Sequence, residues 1–487
     1  MFHEPASAAV NRHAVARGCR LAAVLLTALL SGCAQLPADR GRLEVAEQLS
    51  RQGAPAVLGA AGSAELDPTL LTRLDEPLSA DAAVEIAFLL SPRVKMALAR
   101  LGLASAELFD SQRPRNPAIS LGKLGTGAAA ETSVGLHLLL SDLMLLPARR
   151  DIGELEWQAA IAETVAMLLE EASEVRHAYY HYLAASQVAA MRAAVAEASA
   201  LSAELAVRFH AAGNISALQL AREQANATLA RHEAANARGE RLEARLALAE
   251  RLGLAGRSNR WSLPEQLPLP GEDVPDLSTL LAQAHAQRAD LAAARLSLDA
   301  ASARSGLSRR TAWLGELELE LEHESEDDGD RNGAALGWEL PLFSQGQGGI
   351  ARAESGRELA LQQIEMLELA IEADVRVGVA RLANLREIID GYRNTLIPQQ
   401  RDIVAGEMQR YNFMLIGVFE LIEARKAEFD TYQSYFEAIR DYWITQTELE
   451  QAIGGPLPKP AIEQLTPAVD EIVRPQSEGG HDHHGHH

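Results

Sequence analysis

The chain is short of cysteine, of aromatic residues and of positive charge, and each shortage excludes something. Its only cysteines are Cys19 and Cys33, both near the N-terminus. No disulfide framework can therefore hold the body together. Aromatics make up 5% of the 487 residues, although 47% are apolar. An apolar content drawn mainly from Ala and Leu, mixed with Glu, favours long helices over a compact enzyme core.

Lys and Arg number 45 against 67 Asp and Glu, a formal net charge of −22. Nucleic acid is an unsuitable partner, because neutralising phosphates needs a basic surface. Small cations and basic partners fit the sign. No apolar run within the body reaches the ~20 residues of a membrane-crossing helix. Enzyme signatures are missing too: no GxSxG, no Walker loop, no GxGxxG between a strand and a helix. The glycine-rich "SQGQGG" (344–349) lacks the Lys-Ser/Thr that a phosphate loop needs and reads as a strand-to-helix turn. No catalytic residue and no enzymatic activity are expected.

Residues 1–32 form an export signal. Arg12, Arg17 and Arg20 supply the basic region, and "LAAVLLTALL" (21–30) the apolar one. A plain secretory signal ends in a small-x-small site. Here "LSGC" (30–33) follows, which resembles the lipobox of bacterial lipoproteins. That resemblance implies cleavage before Cys33 and acylation of its thiol. Ala34, in place of the Asp of inner-membrane retention, implies the outer membrane. Cys19 leaves with the signal, so the mature chain keeps one cysteine, itself lipidated. Residues 33–77 read as a lipidated, extended arm with little periodicity.

The body is written twice. "LSADAAVEIAFLLSPRVKMALARL" (78–101) resembles "LSTLLAQAHAQRADLAAARLSL" (277–298) at a constant offset, which aligns Ala87 with Ala284 and Val94 with Leu291. Such a repeat reads as one duplicated unit, 78–255 and 277–455, rather than a solenoid. Between them 256–276, with "WSLPEQLPLPGEDVPD", is a proline-rich linker. Residues 456–487 read as a flexible, His-rich tail. From Asp142 to about Ala200 only Pro147 and Gly153 interrupt a helical pattern. About sixty residues would span roughly 90 Å, and such helices must pack lengthwise.

Four short stretches alternate instead with period two. They are 118–125, 132–141, 315–323 and 335–343 with Ala334 ahead, the last two flanking an acidic turn, "ESEDDGDRNG". In the second, Val134, Leu136, Leu138 and Leu140 share one face, and Gly135, His137, Leu139 and Ser141 the other. In the third, leucines alternate with Glu316, Glu318, Glu320 and Glu322. In the fourth, Leu336, Trp338, Leu340 and Leu342 alternate with Gly337 and Glu339. Strands of about ten residues can cross a bilayer at a tilt. Four strands cannot close a barrel, so several copies must contribute. Trp338 would lie near the headgroups.

This arrangement resembles the TolC-like outer-membrane efflux proteins over roughly 78–455. The resemblance rests on the repeats, on "RFHAAGNISALQLAREQANATLA" (208–230), "LPLFSQGQ" (340–347), "LIPQQ" (396–400) and "RYNFMLIGVFELIEARKAEFD" (410–430). It implies a mainly α fold with a small membrane β-barrel. Three copies would form a helical tunnel capped by about twelve strands. It implies a homotrimer in outer-membrane lipids, served by a periplasmic adaptor (membrane fusion) protein and an inner-membrane efflux transporter. It places 208–222 and 410–425 at periplasmic hairpin tips. There Phe209 and Tyr411, with Gly213 and Gly417, would let the chain turn back. An acidic residue past the glycine often narrows such an entrance. Gln219 stands at that place in the first repeat, a departure; Glu420 or Glu423 would serve in the second. Ordinary solvated helix residues are the alternative.

Three candidate chemistries remain. Carboxylates at Glu316, Glu318, Glu320, Glu322 and Glu339, with His137, would line a pore, attract cations and repel anions. A generic polar lumen is the alternative. His177 and His181 stand at i, i+4 with Glu174 a turn earlier, a spacing that can hold a metal, although HExxH is absent. The closing "HDHHGHH" offers His481, His483, His484, His486 and His487 for loose binding of divalent transition metals, with no resident cofactor implied. A purification tag is the alternative, but Asp482 and Gly485 interrupt the run. The function expected is passive outer-membrane conduction in a tripartite efflux system, with heavy-metal cations as cargo. Organic compounds or drugs are the alternative cargo. A pore-less periplasmic adaptor or structural lipoprotein is the alternative class.

Overall fold

A computed structural model describes residues 38–58, 73–124, 131–256, 258, 260–271, 275–326, 329–458 and 464–473. The chain divides into two units, 1–40 and 41–487.

Helix α1 (Arg42–Arg51) buries Val45 and Leu49 and packs on the long helix α4. This corrects the extended arm expected over 33–77. Two apolar positions four apart suffice to seat a short helix that has no long periodic pattern. Gly41, at φ 80°, precedes it beneath the Trp157 ring, where a Cβ would collide.

Helices α2 (Ala80–Leu90) and α3 (Pro92–Ser111) lead into strands β1 (Ala118–Leu124) and β2 (Glu131–Leu139). Helices α4 (Leu140–Ala211) and α5 (Ala217–Arg251) follow. The second half has the same order: α6 (Leu277–Gln287), α7 (Ala289–Thr311), β3 (Leu317–Glu326) and β4 (Gly329–Trp338). It continues with α8 (Gln347–Gly391), α9 (Ile397–Asn412) and α10 (Val418–Ile453). The sequence offset is visible in the caps. Ser79 accepts from Ala82 N at the start of α2, and Asp276 accepts from Thr279 N at the start of α6. Ala87, Ala284, Val94 and Leu291 are all buried.

Helix α4 runs for 72 residues, roughly 110 Å at the usual rise. It begins two residues earlier than the pattern suggested, so Leu140 and Ser141 belong to the helix and not to β2. Asp142, nearly buried, accepts from Arg115 N and Arg149 Nη2, both at 2.9 Å, and ties the helix start to the chain entering β1. The equivalent run in the second half is interrupted by a π turn, Tyr392–Leu396. Pro398 follows at once. Proline has no N–H to give the carbonyl four residues back, and its ring crowds that carbonyl. The wider turn, with Ile397 N bonded to Tyr392 O, absorbs both effects.

Lengthwise packing pairs α4 with α5, α7 and α10, α8 with α7 and α10, and α9 with α10. Alanines at 227, 230, 234, 237 and 244 are buried along α5, so the backbones approach closely. Several of the few aromatics gather at one level. Tyr180 stacks on Trp443 at 5.3 Å, Tyr182 meets Trp261 edge-on, and Trp443 donates to Pro268 O at 2.6 Å. Burial pushes the Tyr180 hydroxyl far above its ordinary pKa. The proline-rich linker joins this layer, with Trp261, Leu267 and Leu269 buried.

The C-terminal segment packs there as well. Thr466 N donates to Leu267 O at 2.9 Å, and Thr466 Oγ1 accepts from Gln187 Nε2 and Leu267 N at 3.1 Å each. Helix α11 (Val469–Val473) buries Ile472. The flexible tail expected over 456–487 is thus corrected for 464–473, which buried Thr466 and Ile472 hold in place.

The sheet order is β1-β2-β3-β4, antiparallel throughout. Its second hairpin departs from the sequence reading. β3 extends to Glu326 and β4 starts at Gly329, so most of "ESEDDGDRNG" is strand rather than turn. Acidic and glycine residues read as a turn when strand faces are assumed to be half buried. Here β4 is exposed at 331–338, and nothing apolar is required of it. Glu339, Leu340 and Leu342 fall beyond its end. No helix among the described residues is long and apolar enough to cross a membrane.

Candidate functional site

Register divides the sheet into two unlike faces. One carries Ile119 and Leu121, Val134, Leu136 and Leu138, Leu317, Leu319 and Leu321, and Leu336 and Trp338. Many of these are exposed, Leu121 at 79% and Leu336 at 64%. So large an uncovered apolar surface asks for lipid or protein against it. The other face carries Ser120 and Gly122, Ser133, Gly135 and His137, then Glu318, Glu320, Glu322 and Glu324, then Arg331, Gly333, Ala335 and Gly337. The acidic column on β3 therefore stands between two columns of mostly small residues.

Glu318 pairs with Gly337, Glu320 with Ala335 and Glu322 with Gly333. Nothing on β4 crowds these carboxylates; a Cβ at Gly333 would come no nearer than 4.0 Å to Glu322. On the β2 side His137 joins them. Its Nδ1 lies 3.2 Å from Glu318 Oε1 and its Nε2 3.7 Å from Glu320 Oε1. Ser120 Oγ is 3.1 Å from Nε2. A neutral imidazole has one N–H and can donate to only one of these partners. Gly135 leaves room for the cluster, since a Cβ there would press on His137 Nε2 at 3.3 Å.

The structure thus brings Glu318, Glu320, Glu322 and His137 together. Glu316 and Glu339 lie outside the strands, joined to each other by Glu339 N to Glu316 O at 2.9 Å. Sequence reading missed Glu324, because it assigned the residue to a turn, and Ser120, whose partner lies across a strand pair.

The two hairpin ends are built alike. In the first, Asn214 N donates to Phe209 O at 2.8 Å and Gly213 N to His210 O at 2.9 Å. In the second, Leu415 N donates to Arg410 O and Met414 N to Tyr411 O, both at 2.9 Å. These are paired Schellman closures, which need a left-handed residue. In the first turn that residue is Gly213. In the second it is Met414, not Gly417, which corrects the expected pairing of glycines. Gly417 has an ordinary φ of −81° and caps α10, as Ser216 caps α5. Phe209 meets Phe419 edge-on at 6.3 Å across the two hairpins. Tyr411 is 40% exposed.

Gln219 donates through Nε2 to Glu223 at 2.9 Å, and buried Glu223 also accepts from Ser202. Glu423 accepts from Asn226 Nδ2 at 3.2 Å and so links the hairpins. Glu420 sits in the first turn of α10, where a carboxylate complements the helix dipole.

Elsewhere, Glu174 accepts from Arg251 Nη2 at 2.8 Å. Among the described residues no group of three or more His, Cys, Asp or Glu is disposed to hold a metal. Cys33 and His481, His483, His484, His486 and His487 lie outside the described residues.

No protein-family model matches the chain. No curated protein matches it either. Solved structures do. CusC, described in terms of transmembrane channel formation, superposes with a TM-score of 0.65 at 18% identity, covering 82% of this chain and 99% of its own. The CmeC outer membrane channel of Campylobacter jejuni gives 0.68 at 16% identity, covering 82% and 91%. The outer membrane protein VceC of Vibrio cholerae gives 0.63 at 18%, covering 80% and 99%. The chain has the fold of the TolC-like outer-membrane channels, as its motifs led us to expect. At these identities the likeness is one of fold.

Proposed function

We propose that the chain is one protomer of a trimeric outer-membrane channel in a tripartite efflux system, lipidated at Cys33. The observation that carries this reading is the sheet. It has one leucine-rich face, one acidic face, and edge strands β1 and β4 with no partner among the described residues. Open edges cannot rest in lipid. Pairing β4 of one copy with β1 of the next removes them, and three copies give about twelve strands, a size that closes. Exposed Trp313 and Trp338 at the helix-side end of the sheet suit the headgroup level.

The duplicated units would then line a periplasmic tunnel with their long helices. Phe209, Gly213, Gln219, Tyr411, Gly417, Glu420 and Glu423 would lie at its entrance, toward an adaptor and an inner-membrane transporter that supplies the energy. Conduction is passive. The three acidic stripes, Glu318 to Glu324, favour cations, and the histidine tract 481–487 takes divalent transition metals. Heavy-metal cations are the cargo these two features support. Organic cargo is the second reading, favoured by the small uncharged residues Gly122, Gly135, Gly333 and Gly337 that fill the columns beside each stripe.

Reconstitution of the purified chain into planar bilayers tests the channel. Stepwise conductance from a trimer supports the reading. A monomer, or a silent trimer with intact helices, contradicts it and favours a pore-less periplasmic protein.

A further inference from the structure

The acidic column on β3 is not uniform along its length. Glu322 pairs with Gly135 on one side and Gly333 on the other, so its cross-strand partners carry no charge. Glu324, farther from the helices, stands opposite Arg331. At the helix-side end, Glu318 and Glu320 share His137, one carboxylate at each ring nitrogen, 3.2 Å from Nδ1 and 3.7 Å from Nε2. Among the described residues of the sheet, the acidic face thus carries two basic groups, one toward each end of the column. The guanidinium at Arg331 keeps its charge at every relevant pH. An imidazole gains or loses its charge between about pH 5 and pH 8.

The geometry points to His137 as the residue that sets the ion preference of the pore: neutral, it leaves Glu318 and Glu320 to attract cations, and protonated, it cancels half of their charge. The inference rests on the reading of the acidic face as a pore lining and adds its control. The surroundings of His137 contribute little else that titrates. From β1 it faces Ser120, whose Oγ lies 3.1 Å from Nε2. The chain entering β1 carries Arg115, paired with Asp142 at 3.6 Å. On β3 the facing groups are Glu318 and Glu320, with Glu322 and Glu324 beyond them, and Glu316 precedes the strand beside Glu339. Lys123 and His323 stand on the opposite, leucine-rich face, where His323 Nδ1 is 2.8 Å from Asn332 Oδ1. Carboxylates titrate near pH 4. Between pH 8 and pH 5.5 the lumen charge therefore changes chiefly at His137.

The test measures reversal potential for the full-length trimer in planar bilayers under a KCl gradient, at pH 8 and at pH 5.5. The parent should prefer K⁺ at pH 8, and its K⁺ over Cl⁻ permeability ratio should fall about twofold or more at pH 5.5. His137→Gln, which keeps a polar side chain beside Ser120, should hold the high ratio at both pH values. His137→Lys, charged throughout, should hold the low ratio at both. A ratio that ignores pH in the parent, or that falls equally in His137→Gln, overturns the role of His137 and leaves the cation pore standing. Anion preference at pH 8 overturns both.

Discussion

Gly213 and Met414 hold the same corner of the two hairpin turns, at φ 77° and 58°. An L-residue with a side chain pays roughly 1–2 kcal/mol for that conformation. Met414 is 92% exposed, so little burial offsets the strain. Met414→Gly should therefore stabilise the protein by about 0.5–1 kcal/mol, after the entropy cost of glycine. Gly213→Ala should destabilise it by about 1 kcal/mol through the backbone alone, since no described residue lies within 4 Å of the added Cβ. Thermal melts of the two variants should move in opposite directions. A common direction would mean that the tip turns are not left-handed corners.

Arg192 ties three helices. Its Nη1 lies 2.7 Å from Asp430 of α10 and 3.3 Å from Glu233 of α5, with the guanidinium largely buried on α4. Asp430 and Glu233 keep solvent contact, which screens the pairs. Arg192→Met should cost about 1 kcal/mol, the upper end for a partly exposed ion pair. Most of it should vanish when Asp430→Asn is added, because the stranded carboxylate is then gone. A double-mutant cycle on melting temperature measures that coupling, and additive effects would remove the tie.

Glu171 is buried and accepts from Arg251 at 3.0 Å, yet its other oxygen has no hydrogen-bond partner among the described residues. Burial, which outweighs the attraction of Arg251, holds its pKa above the ordinary value of 4.5. A carboxyl raised on folding favours the protonated form, so its charged form weakens the fold as pH rises from the unfolded value through the folded one. Glu171→Gln removes that titration. Its stability relative to the parent should improve as pH rises above the ordinary 4.5 and level off once the folded carboxyl has ionised. A flat or falling difference would mean that the Arg251 pair outweighs burial.

Much of the fold was legible because its two periods are so clean. Alternation at 132–139 and 317–322 gave both strand faces, and the offset that aligns Ala87 with Ala284 gave the recurring order of elements. What escaped was set by context. Helix α1 depends on Val45 and Leu49 finding α4, which no local pattern reveals. Residues 464–473 look like a loose tail until Thr466 meets Leu267. Gly417 attracted the turn because glycine is the visible sign of a left-handed corner. Met414 carries the corner instead, since the Schellman bonds fix the position whatever residue occupies it. The acidic column was legible as a ladder, whereas His137 between Glu318 and Glu320 required the β2–β3 register.

The central claim is that the acidic face of the sheet lines a cation-preferring pore. Reversal potential across a bilayer under a salt gradient measures this most directly. The parent channel should favour cations, and Glu318→Gln, Glu320→Gln and Glu322→Gln together should move the reversal potential toward zero while conductance persists. An unchanged reversal potential in the triple variant, or anion preference in the parent, would contradict the account.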